Sequence, residues 1–425
     1  DPGNALFHLT DPRGASDKSG RTFNNPYQYF FEQMHMDDAI YADESIYEYP
    51  MQQGGGNDGR PYSFGRPSSG GSKAAYPCKS YGQGRINPAY FYGVFDPNDM
   101  RRDVSITMTG SNGKGVEKLI PFVPNSKAEG GGLTLNKWDE NRQANPWVAA
   151  QRKSGINGPY MRMSEVYLGY AEVCAALGDV VTGKQYLKTV RERSFPQGLA
   201  NTDAFIASFG NDLVRAIIEE RGFEYAGEGD RRWTLIRSGY LPEDIKRIKD
   251  MTKAMMDGLA TKGYYEFENG NIISAYIWTK LVDAKTIYGH RLTAQCPTDK
   301  VNDPVLYPGW RGQKDNWEEM GLNYGSSTPA TNLAIKGLFE IVSEEEAASL
   351  ESQGYTKVNW GIDLVDNRDE YDKYLFWDYD YVSAPIYLWP FTPNVMAAGG
   401  FTNGYGFKPV SYTHLRAHET GRNLV

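Results

Sequence analysis

NDLVRAIIEERGFEYAGEGDRRWTLIRSG, residues Asn211 to Gly239, decides how the rest of the chain is read. Asn211-Asp212 is a helix-start signal before an amphipathic run, and Gly227 and Gly229 break that run. The stretch gathers Glu219, Glu220, Arg221, Glu224, Glu228, Arg231, Arg232 and Arg237 around aliphatic and aromatic residues. Alternating charge of this kind is ordinarily a solvated helix face, worth ~0.2–0.5 kcal/mol per favourable pair. Here the charges sit beside Phe223, Tyr225 and Trp233 at the corner between two helices. The reading is therefore an ion-paired corner of Glu220, Arg221, Glu224, Glu228, Arg231 and Arg232, with Arg231 and Arg232 folded back onto Glu220 and Glu224. Such a network says little about net stability, but losing one buried partner costs ~3–5 kcal/mol.

The 425 residues suffice for one large domain or two to three small ones. Tyr, Phe and Trp together make 13% of the chain, and with 46 Gly and 23 Pro they point to long ordered loops that carry rings. The net charge of −8 and the lack of a basic stripe among aromatics argue against nucleic acid as a partner. No apolar run approaches the ~18 residues of a membrane-spanning helix. The chain begins at Asp1 with no basic-then-apolar leader, so either a targeting segment has been removed or the N-terminus is missing. Cys78, Cys174 and Cys296 form no CxxC. Cys174 falls in a helical apolar pattern and reads as a small core residue, and a Cys78–Cys296 bridge is left open by the spacing.

Along the chain, residues 1–160 read as irregular, with a helical patch near Pro26–Met36 and a strand over Glu44–Tyr49. The loop from Pro50 to Pro88 is rich in Gly, Pro and Ser, yet it carries Tyr62, Phe64, Tyr76 and Tyr81, which favours an ordered surface loop over a disordered linker. Asp96 to Met108 reads as a turn followed by a strand. Helical periodicity begins at Tyr160 and runs through Met163, Val166, Tyr167, Tyr170, Ala171, Cys174 and Leu177 to a stop at Gly178-Asp179. A second helix follows, then a third over about Thr202–Phe209, and the opening stretch supplies a fourth and a fifth. Helix pairs joined by short Gly turns are tetratricopeptide-like in shape, without the strict repeat signature. Residues 264–335 again read as loop, and Tyr387 to Pro393 holds two prolines that exclude a helix interior or a central strand. The tail SYTHLRAHETGRNLV, residues 411–425, resembles translated sequencing-adaptor read-through and is set aside as non-native; its His414 and His418 are not read as a metal site.

Four blocks together resemble the SusD/RagB family of nutrient-binding outer-membrane lipoproteins. They are Tyr160–Glu172 with Gly178-Asp179 and Val190-Arg191-Glu192-Arg193; Ile218–Glu224 with Glu228–Arg232; Tyr387–Asn394; and Phe95–Arg102 with Asn136-Lys137-Trp138. Departures include Thr234 where the family usually has Asp, and Phe391 between the prolines in place of Ile. The resemblance implies a mainly α fold of tetratricopeptide-like helix pairs with long irregular aromatic loops and few short strands. The blocks cover roughly residues 40–407, and the chain is read as a single domain over residues 1–410: a helical core at about 160–240, loop-rich segments at 50–90 and 264–335, and a closing family block at 371–407. The family's N-terminal helices, signal peptide and lipidated Cys are expected to precede this sequence. The function implied is capture of oligosaccharide, in some members peptide, at the external face of the outer membrane for a SusC-like TonB-dependent barrel, with a lipid anchor and without an enzymatic step. No cofactor or metal is implied.

Aromatic faces accept the C–H side of a pyranose ring, while amides and carboxylates bond its hydroxyls. Tyr62, Tyr76, Tyr81, Trp310 and Trp317, with Asn57, Asp58 and Arg60, fit that chemistry and are the candidate ligand residues. The plainer alternative is that these rings pack their own loops. Read instead as a glycosidase, the stretch would use two of Glu219, Glu220, Glu224 and Glu228 across a cleft. The nearby arginines keep those carboxylates ionised, which argues against it. No His-Glu-x-x-His, Gly-x-Ser-x-Gly or phosphate-binding loop occurs.

Overall fold

Leu213–Glu224 is the helix around which the molecule is built. Gly210 and Asn211, both at φ 64°, turn the chain into it, and the Asp212 side chain caps it by accepting from the Arg215 amide at 3.0 Å. Eleven of its twelve residues are buried, the four charged residues of Glu219-Glu220-Arg221 and Glu224 among them. The charge-rich run is thus neither a solvated face nor a surface corner. It lies inside.

The structure is a computed structural model that describes residues 31, 44–49, 64–65, 67, 82, 84–111, 117–122, 132–138, 157–195, 198–283, 331–369 and 393–399. In chain order they form β1 (Ser45–Tyr49), α1 (Pro88–Gly93), α2 (Met100–Ser105), β2 (Ile106–Thr107), β3 (Thr109–Ser111), β4 (Glu117–Leu119), β5 (Thr134–Leu135), β6 (Gly158–Arg162), α3 (Met163–Ala176), α4 (Val180–Glu192), α5 (Thr202–Ala207) and α6 (Leu213–Glu224). Then follow α7 (Arg231–Ser238), α8 (Leu241–Lys262), β7 (Tyr264–Glu266), β8 (Ile272–Ser274), β9 (Tyr276–Asp283), β10 (Thr331–Lys336), α9 (Glu344–Ser352), β11 (Thr356–Asn359), α10 (Gly361–Asp366) and α11 (Pro393–Gly399). The fold is mainly α with short strands, as expected.

Two apolar cores meet at α6. On one side Ala216, Ile217 and the following Tyr225 pack with Leu168, Ala171, Leu187 and Val190 of the α3–α4 hairpin. On the other, Phe223 joins Phe91, Phe95, Met255, Ile277, Phe339 and Trp360. The antiparallel sheet β10–β9–β11 closes that second core. Asp283 of β9 pairs with Thr331 of β10, and these two residues flank the sequence segment that carries Trp310 and Trp317.

The α3–α4 hairpin is tight. A Cβ built on Gly183 would stand 2.9 Å from the Ala171 carbonyl oxygen and 3.2 Å from the Ala175 amide nitrogen, so α4 crosses α3 backbone against side-chain hydrogen. Gly183→Val should lower the unfolding free energy by ~1–3 kcal/mol, the usual cost of overpacking. Gly169→Ala, on the open side of α3 with nothing within 4 Å, should be neutral or raise it by up to ~1 kcal/mol. Urea titrations of the two variants check both, and equal losses would contradict this crossing.

Several elements differ from the sequence-based expectation. Between the turn at Asp96 and the strand lies α2, started by the Asp99 side chain accepting from the Arg101 amide at 3.0 Å. Tyr160–Arg162 is strand, not helix: β6 pairs antiparallel with β1, and Arg162 keeps extended backbone as the residue before α3. The described part of 264–335 is largely strand, its first hairpin turned at Asn269-Gly270 with Gly270 at φ 83°. Helix α8, with Pro242 in its first turn and Gly263 ending it at φ 77°, carries both end signals, yet it was not expected. The expected strand at Ser45–Tyr49 and buried Cys174 are found. Of the Pro26–Met36 patch only Phe31 is described, and it is helical. Cys78, Cys296 and residues 411–425 lie outside the described residues.

Candidate functional site

The largest concentration of charged chemistry among the described residues is the cluster around the C-terminal half of α6. Glu224 accepts from Arg162 at 2.5 Å and Arg193 at 2.6 Å on one oxygen, and from Arg101 at 3.1 Å on the other. Glu220 holds Arg101 at 2.6 Å and Arg191 at 2.8 Å. Arg101 is also bound by Asp99 through its Nε and Nη2, the latter at 2.7 Å. Glu44, just before β1, takes Arg162 at 2.9 Å and Arg193 at 2.7 Å. Glu228 takes Lys137 at 2.6 Å and Arg162 at 2.9 Å. Lys137 and Arg162 each donate again to the Glu224 carbonyl, at 2.9 and 2.8 Å. Five carboxylates thus face five cations, with side chains at most 6% exposed.

Two satellites flank this cluster. Arg231 reaches Glu219 at 2.8 Å and Asp244 at 3.0 Å, and Arg247 bonds the same two acids. Arg231 passes so close over α6 that a Cβ on Gly222 would lie 2.7 Å from its Nη1, which explains a glycine inside a buried helix. Arg221 holds Asp230 at 2.6 Å and Glu165 at 3.3 Å, and its Nε donates to Thr234 at 3.2 Å. Thr234 in turn donates to Asp230 at 2.9 Å, so the hydroxyl links this arginine to its carboxylate.

The expected fold-back of Arg231 and Arg232 onto Glu220 and Glu224 is therefore corrected. Among the described residues those acids are held by Arg101, Arg162, Arg191 and Arg193, Arg231 serves Glu219 and Asp244, and Arg232 is half-buried. The physical reason is reach. An arginine on α7 meets the face of α6 that carries Glu219, while Glu220 and Glu224 look toward the α4 end and β6.

Electrostatically the cluster is a locked set of charges, not an acid–base pair. Burial pushes the Glu224 carboxyl up, but the Arg193, Arg162 and Arg101 guanidiniums outweigh it and hold it well below the carboxylate range. Glu228 is likewise lowered, burial being outweighed by Arg162 and Lys137. Burial moves the Lys137 ammonium down to about 8, with Glu228 pulling the other way. A glycosidase needs one carboxyl protonated near neutrality, and these two sit in the opposite regime. No group of three or more His, Cys, Asp or Glu among the described residues is placed to hold a metal ion.

The exposed surface offers different chemistry. Tyr47, Tyr49 and Tyr160 stand out from the β1–β6 ribbon, Trp233 from α7, and Val166, Tyr170, Val173 and Leu177 form a stripe along α3.

Comparison with known proteins decides the family. The sequence profile of the SusD family matches residues 10–390. The chain belongs to the SusD family. A SusD-like protein of Formosa agariphila is 28% identical over 160 residues, covering 37% of this chain and 26% of that protein. Among solved structures, a SusD homolog from Bacteroides thetaiotaomicron is 19% identical with a TM-score of 0.39, covering 53% of this chain and 47% of that one. Surface glycan-binding protein A from the same organism, in complex with laminarihexaose, is 19% identical with a TM-score of 0.35, covering 51% and 46%. The matched part thus spans about half the length of these solved relatives and 26% of the curated one.

In this SusD-family chain the motif blocks converge. Arg162 from the first block, Arg191 and Arg193 that follow it, Glu220, Glu224 and Glu228 from the second, and Asp99, Arg101 and Lys137 from the fourth all enter the one cluster. Glu44 was not expected there; its only sequence signal is a carboxylate directly before an apolar strand. The candidate ligand residues Asn57, Asp58, Arg60, Tyr62, Tyr76, Tyr81, Trp310 and Trp317 lie outside the described residues, as does the closing block up to Thr392, while Pro393-Asn394 open α11.

Proposed function

We infer that this SusD-family protein is a glycan-binding component of a SusC/SusD-type TonB-dependent uptake system, held at the external face of the outer membrane by a lipid anchor. It captures oligosaccharide and delivers it to the barrel without cleaving it. The observation that carries this reading is the division of labour in the fold. The carboxylates that a hydrolase would use are buried and neutralised around α6. Some aromatic rings, among them Tyr47, Tyr49, Tyr160 and Trp233, face the solvent. The ligand contacts proposed are Tyr62, Tyr76, Tyr81, Trp310 and Trp317, with Asn57, Asp58 and Arg60 bonding hydroxyls.

The α3 stripe supports the partner. Val166, Tyr170, Val173 and Leu177 recur at steps of four, three and four, and each is exposed. A helix that buries Leu168, Ala171 and Cys174 on one side and shows such residues on another suits a protein contact, here the SusC-like barrel. Co-purification of the barrel with tagged protein from outer membranes tests that assembly.

Native affinity gels containing soluble polysaccharides test the ligand reading. The expected result is retarded migration without release of reducing sugar, lost by at least tenfold in affinity in a Trp310→Ala, Trp317→Ala, Tyr81→Ala variant that melts like the wild type. Sugar release by the wild-type protein would make it an enzyme. Retardation by peptide alone would make it a peptide binder.

A further inference from the structure

Helix α9 is held to the molecule by its ends. Strands β10 and β11 lie on either side of β9 and both run antiparallel to it, so they are parallel to each other and α9 is the crossover between them. A crossover helix ordinarily buries an apolar face on its sheet. Here no residue of α9 is buried. The core side of the sheet carries Ile277, Leu333 and Ile335, and Tyr276, Trp278 and Lys280 alternate onto the other side.

A helix as short as Glu344–Ser352 does not sustain itself in water, because nucleation costs more than so few hydrogen bonds return. Without a buried face, α9 depends on its caps. At its start the Ser343 hydroxyl accepts from the Glu346 amide at 3.2 Å, and the Glu346 carboxylate accepts from the Ser343 amide at 2.9 Å. That reciprocal cap is local and ties α9 to nothing else. At its end the Tyr355 amide bonds the Leu350 carbonyl at 3.0 Å, and Gly354 turns the chain out at φ 88°.

One hydrogen bond reaches across to the sheet. The Lys280 ammonium donates to the Gln353 carbonyl at 2.7 Å and lies 5.7 Å from the centre of the Tyr355 ring. Among the described residues, no other hydrogen bond or ion pair joins residues 343–354 to the rest of the chain. The cation sits where the last carbonyls of a helix concentrate negative charge, so it favours the helical form over the melted one.

We propose that α9 is an order–disorder switch latched by Lys280. Closed, the ammonium is engaged by Gln353 and α9 is helical. Open, that link is broken and α9 melts, since it has no buried face to keep. The stretch between β10 and β11 is then a plain tether, both strands stay paired with β9, and the ammonium is free on the outer side of the sheet.

Hydrogen–deuterium exchange of the full chain, read by peptide mass spectrometry, tests this. Peptides within 341–354 should exchange well before those of α6 and α8, whose buried faces open only with the whole fold, yet more slowly than an unstructured chain. Lys280→Met should speed exchange in α9 by about fivefold and leave α6 and α8 unchanged. Lys280→Arg, which keeps the charge and the donors, should stay within about twofold of the wild type. Glutamyl endopeptidase gives a second readout: its first cuts should fall after Glu344, Glu345, Glu346 or Glu351, faster in Lys280→Met and not in Lys280→Arg. Protection of α9 equal to that of α6 in the wild type overturns the switch, because the helix then opens only with the fold. Exchange of wild-type α9 as fast as in Lys280→Met overturns it too, because nothing is then latched.

Discussion

Arg162→Ala is expected to lower the free energy of unfolding by ~3–5 kcal/mol. Arg162 is 1% exposed. It donates to Glu44, to both the side chain and the carbonyl of Glu224, to both oxygens of Glu228 and to the Ser164 hydroxyl. Its guanidinium also lies 4.8 Å from the centre of the Tyr225 ring. Truncation leaves a cluster of balanced charge one cation short; of the three carboxylates it served, Glu44 and Glu224 are fully buried and Glu228 is 6% exposed. Arg237→Ala supplies the control. Arg237 pairs with Glu172 at 2.5 Å but is 47% exposed, so its loss should cost no more than ~1 kcal/mol. Urea unfolding followed by tryptophan fluorescence measures both. Similar losses for the two variants would mean that the cluster is solvated, and the reading of α6 as an interior charged helix would fall.

Acid should unfold the protein, and the cause lies in the same carboxylates. Glu224 and Glu228 are lowered from an ordinary value of 4.5, and Asp244 from 3.8, burial in each case being outweighed by neighbouring cations. As pH falls below about 4.5 the unfolded chain takes up protons that the native carboxylates refuse. The unfolded state then binds more protons, so stability is full above this range and is lost as pH falls through the native values. Lys137 acts in another window. Between about 8 and 10.5 the unfolded lysine keeps a proton that the buried one has given up, so this group makes stability rise with pH there. Melting temperatures from pH 3 to 7 should drop steeply at the acid end. Glu224→Gln should melt lower than the wild type at pH 7 and show a shallower drop. A flat profile for the wild type would contradict the ion pairing described.

Most of the helical body was legible in residues alone. Apolar recurrence at three and four residues marks Met163–Ala176, and the glycines and Asp or Asn caps delimit the helices after it. The family likeness rested on charged positions whose purpose the residues do not reveal. Glu220 and Glu224 belong with arginines 29 to 123 positions away, and nothing local says which: Arg231 and Arg232 are nearer in the chain, but they start a helix on the other side. Helix α2 was lost for a similar reason, since Arg101 and Arg102 look solvent-bound until the carboxylates that bury Arg101 are known. Helix α8 is legible in its first-turn proline and its terminal glycine. The candidate ligand residues follow only from ring and amide chemistry in Gly- and Pro-rich sequence, which carries no periodic signal to place them.

The charge cluster has a kinetic meaning as well. It gathers positions 44, 99–101, 137, 162, 191–193 and 220–228, and so ties shut chain loops of tens of residues as a set of cross-links would. Unlike a disulfide, it adds little to equilibrium stability, because each ion gave up its hydration on burial. Yet no segment can peel away without first baring charge that water has not reached. The toll falls early on the unfolding path, before solvent enters, so the cluster should slow the rate of opening more than it shifts the equilibrium. Wherever proteases sample the opened chain, a long native lifetime protects more than a small gain in equilibrium stability.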